Sequence, residues 1–260
     1  MKRNPELTVR PLTGLPMFAT GMSIAQVICA SLDGEGDRLR DGDILVVAQK
    51  IVSKVEGRMH DLAGFVPSEE AHELARATGR DPKMMQAILE ESSQILRCTP
   101  AAVIAAHRTG HVLANAGIDA SNVEGGEAGR VLFWPLDPDA SARALRSELQ
   151  KACEVWIGVV IADSMGRAWR IGTLGHAIGC AGLTVLEDHR GRAQDLYGRT
   201  LQATVIGIAD SVAAMAALAM GEGAEGTPVA LVRGCERWVT EEDGPGAVNG
   251  LRPVEQDMFR

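Results

Sequence analysis

Aromatic side chains make up only 3% of this 260-residue chain. With so few rings, the core has to be assembled from Val, Ile, Leu, Ala and Met. A basic tract is also missing: Lys and Arg total 26 against 34 Asp and Glu, a formal net charge of −8. That balance lacks the electrostatic footprint of a nucleic-acid binder. The five cysteines, Cys29, Cys98, Cys153, Cys180 and Cys235, form no CxxC pair. Zinc-ribbon and thioredoxin-like readings therefore have no support, and most of these residues read as buried thiols in a reducing compartment. No apolar run approaches the roughly 20 residues of a membrane span. The start, Met1-Lys2-Arg3-Asn4-Pro5-Glu6, has no apolar stretch behind it to make a signal peptide. The expectation is a cytoplasmic protein with neither a membrane nor a nucleic-acid partner.

What is present is ordinary globular composition, 46% hydrophobic and 23% charged. Strand and helix signals alternate irregularly. Leu7 to Leu12 reads as a short strand ended by Gly14-Leu15-Pro16. Ile24, Val27, Ile28 and Leu32 follow helical spacing with Ser23 as a cap. Asp41-Gly42-Asp43 turns into the apolar strand Ile44 to Val47. Ser68-Glu69-Glu70 opens a helix that Gly79 ends, and Asp81-Pro82 opens another, with proline where it costs no hydrogen bond. Ala102 to Ala106 and Val112 to Ala114 make a hairpin through Thr109-Gly110. Val131 to Trp134 is a strand, and Asp137-Pro138 caps a helix carrying Leu145 and Leu149. Val155 to Ala162 is the strongest strand signal, with Asp163 at its end. Ala203 to Ile208 and Val229 to Val232 are strands, with a helix from Ser211 to Met220 between them that Gly221 stops. Glu124 to Gly129 reads as a linker, and the segment after Arg237 as a polar, partly loose tail. Strands joined by hairpins as well as helices predict an α+β fold with mixed sheets and flanking helices.

Standard nucleotide motifs fail. There is no GxxxxGK[ST]. Gly221-Glu222-Gly223-Ala224-Glu225-Gly226 spells GxGxxG, but a dinucleotide fingerprint follows a strand and opens a helix. Here a helix runs in and a strand leaves. Such a loop either offers backbone N–H groups to a phosphate or is a helix C-cap with a turn. No HExxH or GxSxG occurs, and His107, His111, His176 and His189 read as surface or satisfied core residues.

Three acidic stretches stand out: Asn115 to Asn122, Ile161 to Arg167, and Met220 to Gly226. Each sets a carboxylate beside glycines or small polar residues where the hydrophobic pattern breaks. Mg²⁺ is usually held by one or two carboxylates plus substrate phosphates, so these stretches suit a metal–nucleotide complex. Asp163 is either a ligand facing a cleft or an Asx-turn residue. Asp119 and Asn122 either share metal and nucleotide duties or form a simple polar turn. Lys50 and Lys54 follow a buried strand and are either phosphate contacts or solvated. Arg167, Arg170, Arg190, Arg192 and Arg199 lie in or near glycine-rich stretches and either suggest an anionic substrate or are in part salt-bridged surface residues.

Gly14-Leu15-Pro16, Asp41 to Val47, Lys50 to Gly57, Ile88 to Ser92 and Asn115 to Val123 occur in an order that resembles the coenzyme F420:L-glutamate ligase (F420 gamma-glutamyl ligase) family, in its stand-alone form. Asp137 to Ala142, Asp163 to Arg167, Asp195 to Arg199 and Met220 to Gly223 continue the match. The resemblance implies a GTP-dependent ligase that adds L-glutamate to the coenzyme precursor through an acyl phosphate. It also implies Mn²⁺ or Mg²⁺ at two sites, a monovalent activator such as K⁺, and an intertwined homodimer of two-part subunits. On that pattern, residues 1–238 form one domain of two intertwined subdomains and 239–260 form the tail. Asp119 and Asp163 would bind one divalent ion, and Ser164 and Glu222 a second. GTP would be held by Gly14, Leu15, Pro16, Met17, Gln49, Lys50, Lys54 and Asn122. The loop of Met220, Gly221, Glu222, Gly223, Ala224, Glu225, Gly226 and Thr227 would complete that site. Lys54 and Arg167 would stabilise charge in catalysis. Two positions depart from the pattern: Gln49-Lys50 replaces small hydroxyl residues, and Ile171 stands where a second arginine is expected. A same-fold ligase with another acceptor, and a non-catalytic nucleotide-binding protein, are the rival readings.

Overall fold

Ile44, Leu45, Val46 and Val47 are consecutive, apolar and all 0% exposed. A strand apolar on both faces must be covered on both, and that requirement organises the molecule. A computed structural model describes residues 6–257. In chain order its elements are β1 (Thr8–Pro11), α1 (Ile24–Gly34), β2 (Ile44–Ala48), α2 (Gln49–Val55), β3 (Met59–Asp61), α3 (Glu69–Thr78), α4 (Pro82–Glu91), β4 (Ser92–Cys98), β5 (Val103–His107) and β6 (Val112–Ala114). They continue as β7 (Arg130–Leu132), α5 (Pro138–Cys153), β8 (Gly158–Arg167), β9 (Arg170–Ala181), β10 (Leu186–Asp188), β11 (Val205–Gly207), α6 (Ile208–Met220) and β12 (Val229–Arg233).

Five strands make the central sheet, in the order β1-β12-β2-β8-β9. β2 and β8 run parallel, and the other neighbours are antiparallel. Side chains alternate across a strand. Leu45 and Val47 therefore pack with Ile28 of α1 and Leu145 and Leu149 of α5, while Ile44 and Val46 pack with Val212, Ala213 and Ala216 of α6. A third apolar cluster joins Ala71 of α3, Met85 and Ile88 of α4, and Val103 and Ala105 of β5. Smaller sheets pair β4-β5-β6, β3-β7 and β10-β11. The class is α+β, as expected.

The helix starts fall where capping chemistry puts them. Ser23, Ser68, Asp81 and Asp137 each accept a backbone N–H from the first turn. The Thr109-Gly110 hairpin forms, with Ala106 opposite Val112. Other expectations are corrected. β8 starts at Gly158 rather than Val155 and does not stop at Asp163: it runs on to Arg167 and pairs with the unforeseen twelve-residue β9. The glycine-rich stretch is thus a hairpin, tolerated because Asp163 pairs with His176 and Gly166 with Thr173 in register. Gln49–Val55 is helical, and Ile208 opens α6 rather than closing a strand. The expected linker is a tight turn, with Arg130 N donating to Gly125 O at 3.0 Å. Only Cys180 and Cys235 are buried; Cys29, Cys98 and Cys153 are half-buried.

Residues 239–250, read as loose, are clamped. Arg146, 3% exposed, donates to Ile157 O (2.8 Å), Thr240 O (2.8 Å) and Glu241 O (2.9 Å), and pairs with Asp243 at 2.6 Å. Asp139 accepts the Ala247 and Val248 N–H groups. Arg146→Ala strands three carbonyls and is expected to cost about 2–4 kcal/mol. Limited proteolysis should then cut within 239–250 faster than in the parent; equal cleavage would contradict the clamp.

Candidate active site

Four segments reach the same edge of the central sheet, and register explains why. Parallel pairing sets Ala48 beside Ala162, so the first turn of α2 stands next to Asp163. Ala48 N donates to Pro228 O and Leu12 N to Val229 O, both at 2.8 Å. The run into β12 and the run out of β1 therefore emerge at that edge as well. Substrate crevices in α/β sheets lie outside the carboxyl ends of parallel strands. Here the edge opens into a cavity of about 550 Å³.

The cavity is lined by Leu15, Pro16 and Met17 after β1, and by Gln49, Lys50 and Lys54 of α2. Asn122, Asp163, Ser164 and the whole loop from Met220 to Thr227 complete it. Residues 163 and 222 thus meet in one space. Gly14 and Arg167 are not part of the lining, and Asp119 stands behind Lys50. The Gln49 side chain is buried and donates to Ser53 Oγ (2.6 Å) and Phe133 O (3.3 Å), so it supports the wall. Arg190 and Arg199 are turned to Asp188 (2.7 Å) and Asp195 (3.0 Å), and Arg167 donates to Gly172 O at 3.1 Å. Arg170 and Arg192 are exposed. Within one chain, none of these five arginines lines the cavity.

Charge in the cavity is arranged in two parts. On α2, Lys50 and Lys54 are four residues apart and share a face. Lys50 Nζ donates to Asp119 Oδ2 and Ser121 Oγ, each at 2.5 Å, and Lys54 Nζ donates to Asn122 O at 2.7 Å. Burial and the neighbouring Lys50 hold Lys54 below the usual lysine range, against the pull of Glu124. Asn122, at φ +54°, reaches across to Gly223 O at 3.1 Å and ties its loop to the glycine loop. Within that loop Gly223 N donates to Glu225 (2.8 Å) and Thr227 Oγ1 to Met220 O (2.7 Å).

The acidic part centres on Asp163. Its Oδ2 accepts Trp134 Nε1 at 2.7 Å and its Oδ1 accepts Ser164 N at 2.9 Å. Burial raises its carboxyl to about 6, against the lowering effect of these bonds and of Lys50, while repulsion from Asp119 adds to the rise. Partial burial pushes the half-exposed Asp119 up, but Lys50 and Ser121 outweigh it and hold it below the ordinary range. Two carboxylates thus compete for one ammonium. Excess negative charge out of water is what a hard cation relieves. Among the described residues, no three His, Cys, Asp or Glu side chains cluster tightly enough to hold an ion alone. The donor set therefore fits a divalent cation only if phosphate or water oxygens share its coordination. Ser164 and Glu222 offer further oxygens to the same cavity. Sequence reasoning missed Trp134 and Ser121; the serine two residues after Asp119 was a local signal, whereas nothing local linked Trp134 to Asp163.

The model of the F420-0:gamma-glutamyl ligase family matches residues 14–234. A protein of Methanothermobacter thermautotrophicus named coenzyme F420:L-glutamate ligase is 43% identical over 247 residues, 95% of this chain and 96% of its own length. Proteins of the same name from Archaeoglobus fulgidus (42% over 253 residues; 97% of this chain, 96% of its own) and Methanopyrus kandleri (39% over 257; 98% of each) are similar throughout. With the match running through every segment that lines the cavity, the chain belongs to the F420-0:gamma-glutamyl ligase family.

Proposed function

We propose that this protein is a GTP-dependent ligase that joins L-glutamate by an amide bond to a precursor of coenzyme F420. The names of its relatives supply the acceptor and the amino acid. The observation that carries the chemistry is the single cavity in which two lysines and the glycine loop 220–227 face Asp163. Like charges four residues apart on a short helix are unfavourable by themselves and are relieved by a polyanion. A triphosphate has that charge, and the loop exposes backbone N–H groups with little bulk to approach it.

A carboxylate is a poor acyl donor in water, so amide formation needs activation. In the proposed reaction the acceptor's carboxylate oxygen attacks the γ-phosphorus of GTP and the bond to the β-phosphate oxygen breaks, giving acyl phosphate and GDP. The α-amine of glutamate then attacks the acyl carbon, phosphate leaves with the bonding electrons, and the amine proton passes to water. Lys54 would neutralise charge that builds on the transferring group, with Lys50 anchoring phosphate once drawn from Asp119. Rate enhancement would come from positioning and preorganised charge. Asp119 and Asp163 would hold one Mn²⁺ or Mg²⁺, and Ser164 and Glu222 a second, with K⁺ as an activator. Bound there, the cations supply neutralisation of phosphate charge. A homodimer accords with the exposure of Ile171, Leu196 and Tyr197 at 102%, 101% and 84%, and Arg167 would act in that assembly.

Incubation with GTP, L-glutamate and the deazaflavin precursor, followed by product mass, tests this reading. One GDP should appear for each glutamyl residue added. GTP binding with no GDP formed when all three are present would make the protein a nucleotide binder instead.

A further inference from the structure

Trp134 is the largest of the fully buried side chains, and its only side-chain polar atom is Nε1. A buried indole N–H needs an acceptor, and here that acceptor is the acid at the centre of the cavity, Asp163 Oδ2 at 2.7 Å. Oδ1 accepts Ser164 N at 2.9 Å. With one donor fixed on each oxygen, the plane of the carboxylate is set.

The indole itself is held in place. Gly117 lies against it: a Cβ there would meet Trp134 Nε1 at 2.5 Å, and the backbone is already left-handed at φ +73°. His107 packs on the ring with centroids 4.9 Å apart, and His111 meets it edge-on at 5.4 Å and 83°. Burial pushes the His111 imidazole down to about 4, so near neutrality it packs as an uncharged ring. Arg58 Nε donates to Trp134 O at 2.8 Å and fixes the backbone behind it. None of these residues lines the cavity, and each touches Trp134.

We propose that Trp134 is the positioning residue of the site, its indole N–H locking Asp163 in the orientation that presents the carboxylate to a divalent cation. The proposal rests on the cation reading given above. A residue that only fills core volume would affect stability and nothing else. Outer partners of metal ligands typically matter to affinity by about 10–100-fold.

Trp134→Phe keeps a packed ring and deletes the N–H. Mn²⁺ alone is titrated into the full-length protein, free ion is followed by electron paramagnetic resonance, and thermal unfolding is recorded in parallel. The expected result is a Kd for Mn²⁺ raised about 10-fold or more in a folded variant. A lower Tm with unchanged Mn²⁺ affinity would reduce Trp134 to core filler and overturn the proposal. A second measurement, on the parent protein, is independent of how the variant folds. With ¹⁵N-labelled tryptophan, the Trp134 indole signal should broaden at the first additions of Mn²⁺, before those of Trp156 and Trp238; its persistence at saturation would equally overturn the proposal. If the parent binds no Mn²⁺, either alone or with GTP present, the cation reading fails and this inference with it, whereas the product-mass assay judges the ligase reading separately.

Discussion

Asp163→Asn should lose about 10²–10³-fold in GTP turnover while the protein remains folded. The amide is nearly isosteric, and its oxygen can still accept either Trp134 Nε1 or Ser164 N, which now reach Asp163 at 2.7 and 2.9 Å. What disappears is the negative charge. Folding holds this carboxyl at about 6, chiefly through burial, so its ionised form at neutral pH is maintained at a cost to stability. The neutral amide carries no such cost, but its NH₂ faces one of the two N–H donors and that bond is lost. The effects offset, and the variant should unfold within a few degrees of the parent Tm, each kcal/mol being worth roughly 2–4 °C in a chain of this size. Loss of activity with unchanged or higher stability is the signature of a group kept for chemistry. The decisive measurements are GDP release with both co-substrates present and a thermal melt without metal. Near-parental turnover would remove Asp163 from the reaction, and a collapsed melt would make it structural.

Local chemistry was legible in the chain, and pairing across distance was not. Ser23, Ser68, Asp81 and Asp137 announce helix starts because a cap is satisfied within a few residues. Ile44 to Val47 announces a doubly covered strand by composition alone. β9 gave no such signal: its glycines at 172, 175 and 179 weaken strand propensity, and it is strand only because β8 supplies a partner over nearly its whole length. The same holds at the site. The resemblance named Asp163, Asn122 and the 220–227 loop, and the fold brings them to one cavity. Their mutual arrangement depends on β2 and β8 running parallel, which no single motif encodes. Arg190 and Arg199 show the opposite case. Each has an acid two or four residues away, Asp188 and Asp195, so the salt-bridged alternative was visible locally and holds for these two.

Glu91→Gln should be strongly destabilising, and its effect should depend on pH in a defined direction. Glu91 ends α4 with its side chain 10% exposed, receives Arg58 Nη2 at 3.0 Å, and faces Arg108 Nε and His107 Nε2 at 3.2 Å each. Thr109 N donates to His107 Nδ1 at 3.1 Å, so the ring proton sits on Nε2 and points at the carboxylate. Burial alone would raise this carboxyl, but His107, Arg58 and Arg108 outweigh it and hold it at about 2, against an ordinary 4.5. A group depressed by folding contributes its full stability above 4.5 and loses it as pH falls toward 2. An amide leaves two guanidinium groups without their counter-charge. Breaking a buried ion cluster from one side costs about 3–5 kcal/mol, which corresponds to a drop of roughly 6–20 °C in Tm at pH 7. Thermal unfolding of parent and variant at pH 7 and at pH 3.5 reads this directly. The gap should be widest at pH 7 and narrower at pH 3.5, because the unfolded parent takes up a proton there while the native carboxylate, held at about 2, stays charged. A gap of the same size at both values would mean that packing, not the carboxylate's charge, holds this cluster together. Arg58 also grips the backbone of Trp134 and His107 packs on its ring, so the acid that stabilises the fold also braces the wall behind Asp163.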